Sequence, residues 1–288
     1  MVRHLILSNS RHKSIDLFTD YGIRLVGVEG LGFGGEIITS KMYAADGELY
    51  QSTNLQRRAV TINLRYRGAV WTHEQSKKRI TDMLANKEQV RIRYVTDITD
   101  VYIDGYIENI DTPQNAKPLR TQISIICPDP YFIRNDSGQT VISGTEKMWE
   151  FPLEIPEKDS MIFGDISSTI YATVINEGAV AVGGRFEFVA KTKCRFPKLT
   201  DVKTGAHMGV DIEMQTGDRL IFVTHNNGKA ITFISADGTE KDVFNLKPHD
   251  MKWLKLETGK NIFRYTFEEG DLQACDITVY FDTRIAAI

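Results

Sequence analysis

Apolar and polar residues alternate with period two along most of this chain, and that limits what it can fold into. Val60, Ile62, Leu64 and Tyr66 point one way along an extended segment, and Thr61, Asn63, Arg65 and Arg67 point the other. The pattern recurs at Val90, Ile92 and Tyr94 against Arg91 and Arg93, then at Val101, Ile103 and Ile107, and at Ile123 and Ile125. Strands with one apolar and one wet face belong to antiparallel sheets packed on a single side. Earlier strands are expected over 2–8, 23–29 and 36–43.

One segment breaks the alternation. Thr72-His73-Glu74-Gln75 has the form of a capping box, in which side chains satisfy the orphan amides of a helix start. Glu74 and Lys78 have i,i+4 spacing, Ile80, Met83 and Leu84 form an apolar stripe, and Asn86-Lys87 marks the end. The expectation for the first half is therefore α+β with β in the majority. The second half reads as almost wholly β. Its expected strands are 169–176, 185–190, 209–214, 219–224, 230–234, 252–256, 261–267 and 276–281. Turn signals separate them, among them Asn226-Asn227-Gly228, Asp237-Gly238 and Thr258-Gly259. Short strands at this spacing predict an antiparallel β-sandwich. The whole chain is thus expected to be mainly β with one helix.

The halves meet at Cys127-Pro128-Asp129-Pro130-Tyr131-Phe132. Each proline pushes the residue before it away from helical dihedrals, so the chain leaves the preceding strand extended. Pro128, Pro130, Tyr131 and Phe132 are the candidate anchor of a domain junction, because the turn-prone run Asn135–Thr140 follows at once. A length of 288 residues favours two domains. The boundaries read as 1–134 for the first domain, 135–146 for a linker and 147–288 for the second.

A net charge of −3 gives no global field toward nucleic acid or an acidic membrane. The three cysteines, Cys127, Cys194 and Cys275, lack CxxC spacing and read as reduced, core-filling thiols. The N-terminal apolar run has no small-residue cleavage site, and no stretch reaches the ~20 apolar residues that span a bilayer. No membrane insertion is expected.

Motifs of chemistry are sparse. Gly30-Leu31-Gly32-Phe33-Gly34-Gly35 carries the letters of a dinucleotide fingerprint, but β-branched Ile37-Ile38-Thr39 follows where the fingerprint needs a helix. It reads as a glycine loop. The six histidines show no metal-ligand spacing, and Glu268, Glu269 and Asp271 lie in an apparent hairpin loop. No catalytic, cofactor-binding or metal-binding residue is assigned, and no enzyme is expected. Arg57, Arg65, Arg67, Arg91 and Arg93 alternate along neighbouring strands and are candidates for ion pairs with another subunit. Trp253 and Trp149 offer flat faces that a sugar could stack on, although a sandwich tryptophan is usually core.

Four stretches together resemble the distal tail (Dit) proteins of siphophages and their prophage relatives. These are Ser14–Leu17 with Tyr21-Gly22-Ile23, Asp46–Leu49 with Arg57–Ile62, the Cys127–Phe132 hexad, and Trp253–Leu256 with Gly259-Lys260-Asn261 and Tyr265. The resemblance spans nearly the whole chain, leaving Lys191–His207 unmatched. It implies an N-terminal domain that closes into a homohexameric ring and a galectin-like C-terminal sandwich. Such a hub joins the tail tube to the tail-tip fibre or tail-associated lysin, with baseplate or receptor-binding proteins attached outside. DNA passes through without specific binding, and the site of action is the virion tail tip, assembled in the bacterial host cytoplasm. The alternative is a carbohydrate-binding sandwich that grips host-surface glycans through Trp253 or surface tyrosines.

Overall fold

In the computed structural model the described residues are 3–20, 22–43, 46–67, 70–84, 87–113, 119–135, 138–141, 171–225, 228–270 and 274–288, with backbone alone at 70–72 and 138–141. The fold is mainly β with one helix. Two compact units divide it: 1–136 together with 284–288, and 137–283.

The first unit contains β1 (His4–Asn9), β2 (Ser14–Asp16), β3 (Ile23–Glu29), β4 (Glu36–Lys41), β5 (Glu48–Asn54), β6 (Arg58–Tyr66), α1 (Val70–Leu84), β7 (Gln89–Val95), β8 (Asp100–Asp111), β9 (Arg120–Cys127) and β10 (Phe132–Arg134). Its main sheet runs β2-β1-β7-β8-β9-β6-β3, antiparallel throughout, and β10 pairs with the start of β8. The expected alternation decides which side is core. Val60, Ile62, Leu64 and Tyr66 of β6 join Val90 and Ile92, Val101 and Ile103, and Ile123 and Ile125 in one buried cluster, and Ile80, Met83 and Leu84 of α1 close over it. Among the described residues the opposite face of the sheet has no such cover. The helix begins at Val70, so Thr72 falls inside its first turn rather than at its cap. Strands β4 and β5 pair only with each other and form a separate ribbon.

The second unit contains β11 (Gly138–Val141), β12 (Tyr171–Asn176), β13 (Arg185–Ala190), β14 (Cys194–Arg195), β15 (Lys198–Asp201), β16 (His207–Gly209), β17 (Glu213–Met214), β18 (Arg219–Val223), β19 (Ala230–Ile234), β20 (Glu240–Asp242), β21 (Gly259–Thr266) and β22 (Cys275–Phe281). A six-stranded sheet, β11-β22-β13-β18-β19-β20, and a four-stranded sheet, β12-β21-β15-β16, share one core. Phe188 and Phe222 pack edge to face within the first sheet at 5.6 Å, and Phe186 meets Phe263 of the second at 6.2 Å. Two sheets facing each other over interleaved aromatics make a β-sandwich.

Several expected elements change. The strand read over 209–214 is broken into β16 and β17, because Ile212 N turns back to donate to Val210 O at 2.9 Å. Residues 252–256 form no strand and contribute only the isolated bridge of Leu256 to Val182. The stretch taken as a linker, 135–146, contains β11, which pairs along β22 from Gly138–Phe281 to Val141–Thr278 and so belongs to a sheet. Val223 faces Ala230 as a β18–β19 hairpin requires, with Asn226 and Asn227 outside the described residues. Trp149 and 142–146 also lie outside them.

The chain then leaves the sandwich and returns. A last strand, β23 (Arg284–Ile285), pairs with β10, Phe132 opposite Ile285 and Ile133 opposite Arg284, and completes a nine-stranded sheet in the first unit. The second domain read as 147–288 therefore loses its last five residues to the first unit.

Candidate assembly surface

The Cys127–Phe132 corner is held by a residue that the alternation places on the buried face. Arg58 has the same parity as Val60 and Ile62, is 7% exposed, and donates to four main-chain carbonyls. Its Nε reaches Pro130 O at 2.7 Å, Nη1 reaches Gly30 O at 2.7 Å and Gly32 O at 2.6 Å, and Nη2 reaches Ala286 O at 2.6 Å. The guanidinium also stands 4.7 Å from the centroid of the Phe132 ring. Among the described residues no carboxylate answers this charge, and burial pushes the Arg58 pKa down from its ordinary value. Carbonyl dipoles and an aromatic face replace a counter-ion.

Around that clasp the anchor residues divide. Phe132 is core, 1% exposed. Tyr131 is half-buried under the Arg284 guanidinium, which also pairs with Asp129 at 3.0 Å. Pro128 is exposed, and Pro130 supplies a carbonyl to Arg58. The glycine loop is held at its start: Gly30 has φ +87, and a β-carbon there would sit 2.0 Å from Ala59 O. Glycine is needed at that position for backbone contact.

Beyond the glycine loop rises the β4–β5 ribbon. Its large apolar side chains have little cover: Phe33 at its base is 60% exposed, Ile37 65%, Leu49 60% and Tyr50 61%, with Met42 and Tyr43 also exposed near the tip. Acidic Glu36, Asp46 and Glu48 are exposed on it, against Lys41. Glu48 accepts from Thr39 and Glu36 from Gln56, contacts within the ribbon and its base. A two-stranded ribbon alone is marginal in water, and apolar side chains gathered on one make it a candidate contact surface.

The arginines separate into two groups. Arg91 is bidentate to Asp104 at 2.7 and 2.8 Å and lies 3.9 Å over the Tyr102 ring. Arg93 is bidentate to Asp100 at 2.8 and 2.5 Å. Both are answered by acids of the adjacent strand β8, so their charge is satisfied inside the chain. Hydrogen bonds from Arg93 hold the Asp100 carboxyl below the usual carboxylate range. Arg57, Arg65 and Arg67 are exposed, and their side chains form no hydrogen bond or ion pair among the described residues. Arg65 also stands between two others: Arg24 opposes it on β3 and Arg120 opposes it on β9. All three are exposed and unpaired among the described residues. Directly opposed residues share a face, and like charges so placed destabilise a sheet. Sequence reading missed this row, since Arg24 and Arg120 become neighbours of Arg65 only through strand pairing.

In the sandwich Trp253 is half-buried against the core. Phe244 stacks on it at 5.8 Å and 28°, and Lys229 Nζ stands 5.6 Å from its ring. Both stand against the ring on which a sugar would stack. Among the described residues no cluster of three or more His, Cys, Asp or Glu side chains is placed to hold a metal, and no helix is long and apolar enough to cross a membrane.

No protein-family model matches the sequence, and no curated protein is similar to it in sequence. Solved structures are similar over its whole length. The crystal structure of the SPP1 Dit (gp 19.1) protein, described as a paradigm of the hub adsorption apparatus in phages infecting Gram-positive bacteria, matches with TM-score 0.69 and 12% identity, covering 98% of this chain and 99% of that one. The phage P2 baseplate in its activated conformation with Ca matches with TM-score 0.55 and 12% identity, covering 100% of both chains. The corresponding baseplate with Sr matches with TM-score 0.54 and 13% identity, again over 100% of both. At such identities the likeness is one of fold, and the fold is the one seen in the SPP1 Dit protein.

Proposed function

We propose that the chain is a structural, non-enzymatic component of a phage or prophage tail tip, a hub whose copies associate head to tail into a closed, hexameric ring. The ring lies between the tail tube and a tail-tip fibre or lysin protein, and the sandwich unit carries baseplate or receptor-binding partners. DNA passes through it unbound. The full-length likeness to SPP1 Dit supports this reading, because both units of the chain are aligned at once.

The observation that carries it is the pairing of two unsatisfied surfaces on one unit. The β4–β5 ribbon is apolar and net acidic; the open face of β3, β6 and β9 bears an uncompensated arginine row. A head-to-tail contact that lays one copy's ribbon on the next copy's arginine face satisfies both, and repetition of the same rotation closes a ring. Arg57 and Arg67 flank the same strand and belong to that contact. Exposed edge strands give it further main-chain bonds.

Mass photometry and negative-stain microscopy of the full chain test this, alone and mixed with the tube and tip proteins of its own genome. Rings are expected for the wild type. Ile37→Ser with Leu49→Ser, and separately Arg24→Glu with Arg65→Glu, are expected to shift the population to monomers at equal concentration, with an unchanged circular dichroism spectrum. Monomers only, in every mixture with wild-type protein, would reject the ring.

A further inference from the structure

The three cysteines are all buried, and two of them lie together. Cys127 sits in the core of the first unit. In the sandwich, Cys194 and Cys275 are 81 residues apart in sequence, yet their Sγ atoms are 3.4 Å apart. Both are almost fully enclosed, 1% and 4% exposed. The main chain sets this approach: Lys191 N and Thr192 N both donate to Ala274 O, at 2.7 and 3.3 Å, and Ala190 opposes Cys275 in the β13–β22 ladder. The segment that ends in Cys194 is thus wrapped around the start of β22. Gly270 fits against Cys194, where a β-carbon would stand 3.0 Å from the Cys194 β-carbon.

We propose that Cys194 and Cys275 are an oxidative modification site, which a peroxide converts from two thiols to a disulfide stapling β14 to the start of β22. A disulfide requires sulfurs ~2.05 Å apart, so they must close by about 1.4 Å, within the reach of side-chain rotation. The thiols are unequal. The hydrogen bond from Cys275 favours the Cys194 thiolate and lowers its pKa, while that same bond and burial raise the pKa of Cys275. In the proposed step Cys194 attacks first and Cys275 resolves.

The Cys194 thiolate attacks one peroxide oxygen, breaking the O–O bond and forming a sulfenic acid. The expelled hydroxide takes up a proton and leaves as water. The Cys275 sulfur then attacks Cys194 Sγ, the S–S bond forms, and the sulfenic hydroxyl departs with the Cys275 proton as a second water. The thiols give up two electrons, and the two peroxide oxygens are reduced to two waters. Hydrogen peroxide is small enough to reach the pair through local opening of the core. This chemistry stands apart from the tail-tip reading. That reading supplies only the occasion, since a virion moves from a reducing cytoplasm to an oxidising exterior.

Full-length protein is treated with hydrogen peroxide, quenched with catalase, denatured, alkylated and mapped by peptide mass spectrometry. Alkylation is expected to be lost at Cys194 and Cys275, which appear as one cross-linked peptide pair, and retained at Cys127. Dithiothreitol restores both, and oxidation raises the thermal midpoint of the sandwich by several degrees, since the bond closes a long loop. The cross-link is expected to form at least ~10-fold faster in native protein than in urea, because the fold preorganises the pair. Cys194→Ala abolishes the cross-link and the midpoint shift together. Alkylation of all three cysteines after peroxide, sulfinic acids in place of a cross-link, or equal rates in native and urea-unfolded protein would each overturn the proposal.

Discussion

Arg58 shows what one residue holds together. Its guanidinium joins the carbonyls of Gly30 and Gly32, of Pro130 and of Ala286, segments that the sequence keeps far apart. Removing the side chain takes the donor away from four partly buried acceptors at once and opens a gap beside the Phe132 ring. Arg58→Met is expected to lower the urea-unfolding stability of the first unit by ~2–4 kcal/mol. Phe132→Ala should cost ~3–5 kcal/mol, and the double variant should lose less than the sum, because the arginine sits on that aromatic ring. Additive losses would mean the two act independently. Sequence reading did not single out Arg58, although it has the parity of Val60 and Ile62. Its partners were not legible, since carbonyl acceptors carry no side-chain signature.

At the scale of elements, two parts of the main sheet have opposite electrostatic habits. Strands β7 and β8 settle their charges internally through Arg91–Asp104 and Arg93–Asp100. Strands β3, β6 and β9 leave Arg24, Arg65 and Arg120 opposed and unanswered among the described residues. The Asp100 carboxyl is lowered in the fold, so its contribution is present above the ordinary carboxylate pKa and is lost as pH falls through the lowered value. Asp100→Asn is therefore expected to flatten the acid side of the stability profile below about pH 4, measured by thermal midpoints across pH, and to leave the profile near neutrality parallel to wild type. An unchanged acid limb would show that the pair carries no pH dependence. Strands β3, β13 and β19 were legible to the residue, since alternation and turn residues agree there. Thr72 misled because a capping sequence inside a first turn looks the same as one at its start.

At the scale of the molecule, the first unit is finished by the chain's last residues. Arg284 pairs with Asp129, Ile285 pairs with Phe132 across two strands, and Ala286 accepts from Arg58. Deleting 284–288 is therefore expected to destabilise the first unit, which lies mostly at the other end of the sequence, while the sandwich keeps its own transition. Domain-resolved hydrogen exchange would show faster exchange at Phe132 and in the Gly30–Gly32 loop, and equal loss of protection in both units would contradict it. The sequence by itself determined that the chain is mainly β with one helix, which face of β6 to β9 is wet, and that the chain divides shortly after the Cys127–Phe132 hexad, because side-chain periodicity and proline geometry are local. Only the tertiary structure decided that β23 returns to the first unit, that three arginines line up across strands, and that two cysteines 81 residues apart touch. Those depend on strand order and register, which are set by the summed packing of the whole core and leave no mark at any single position.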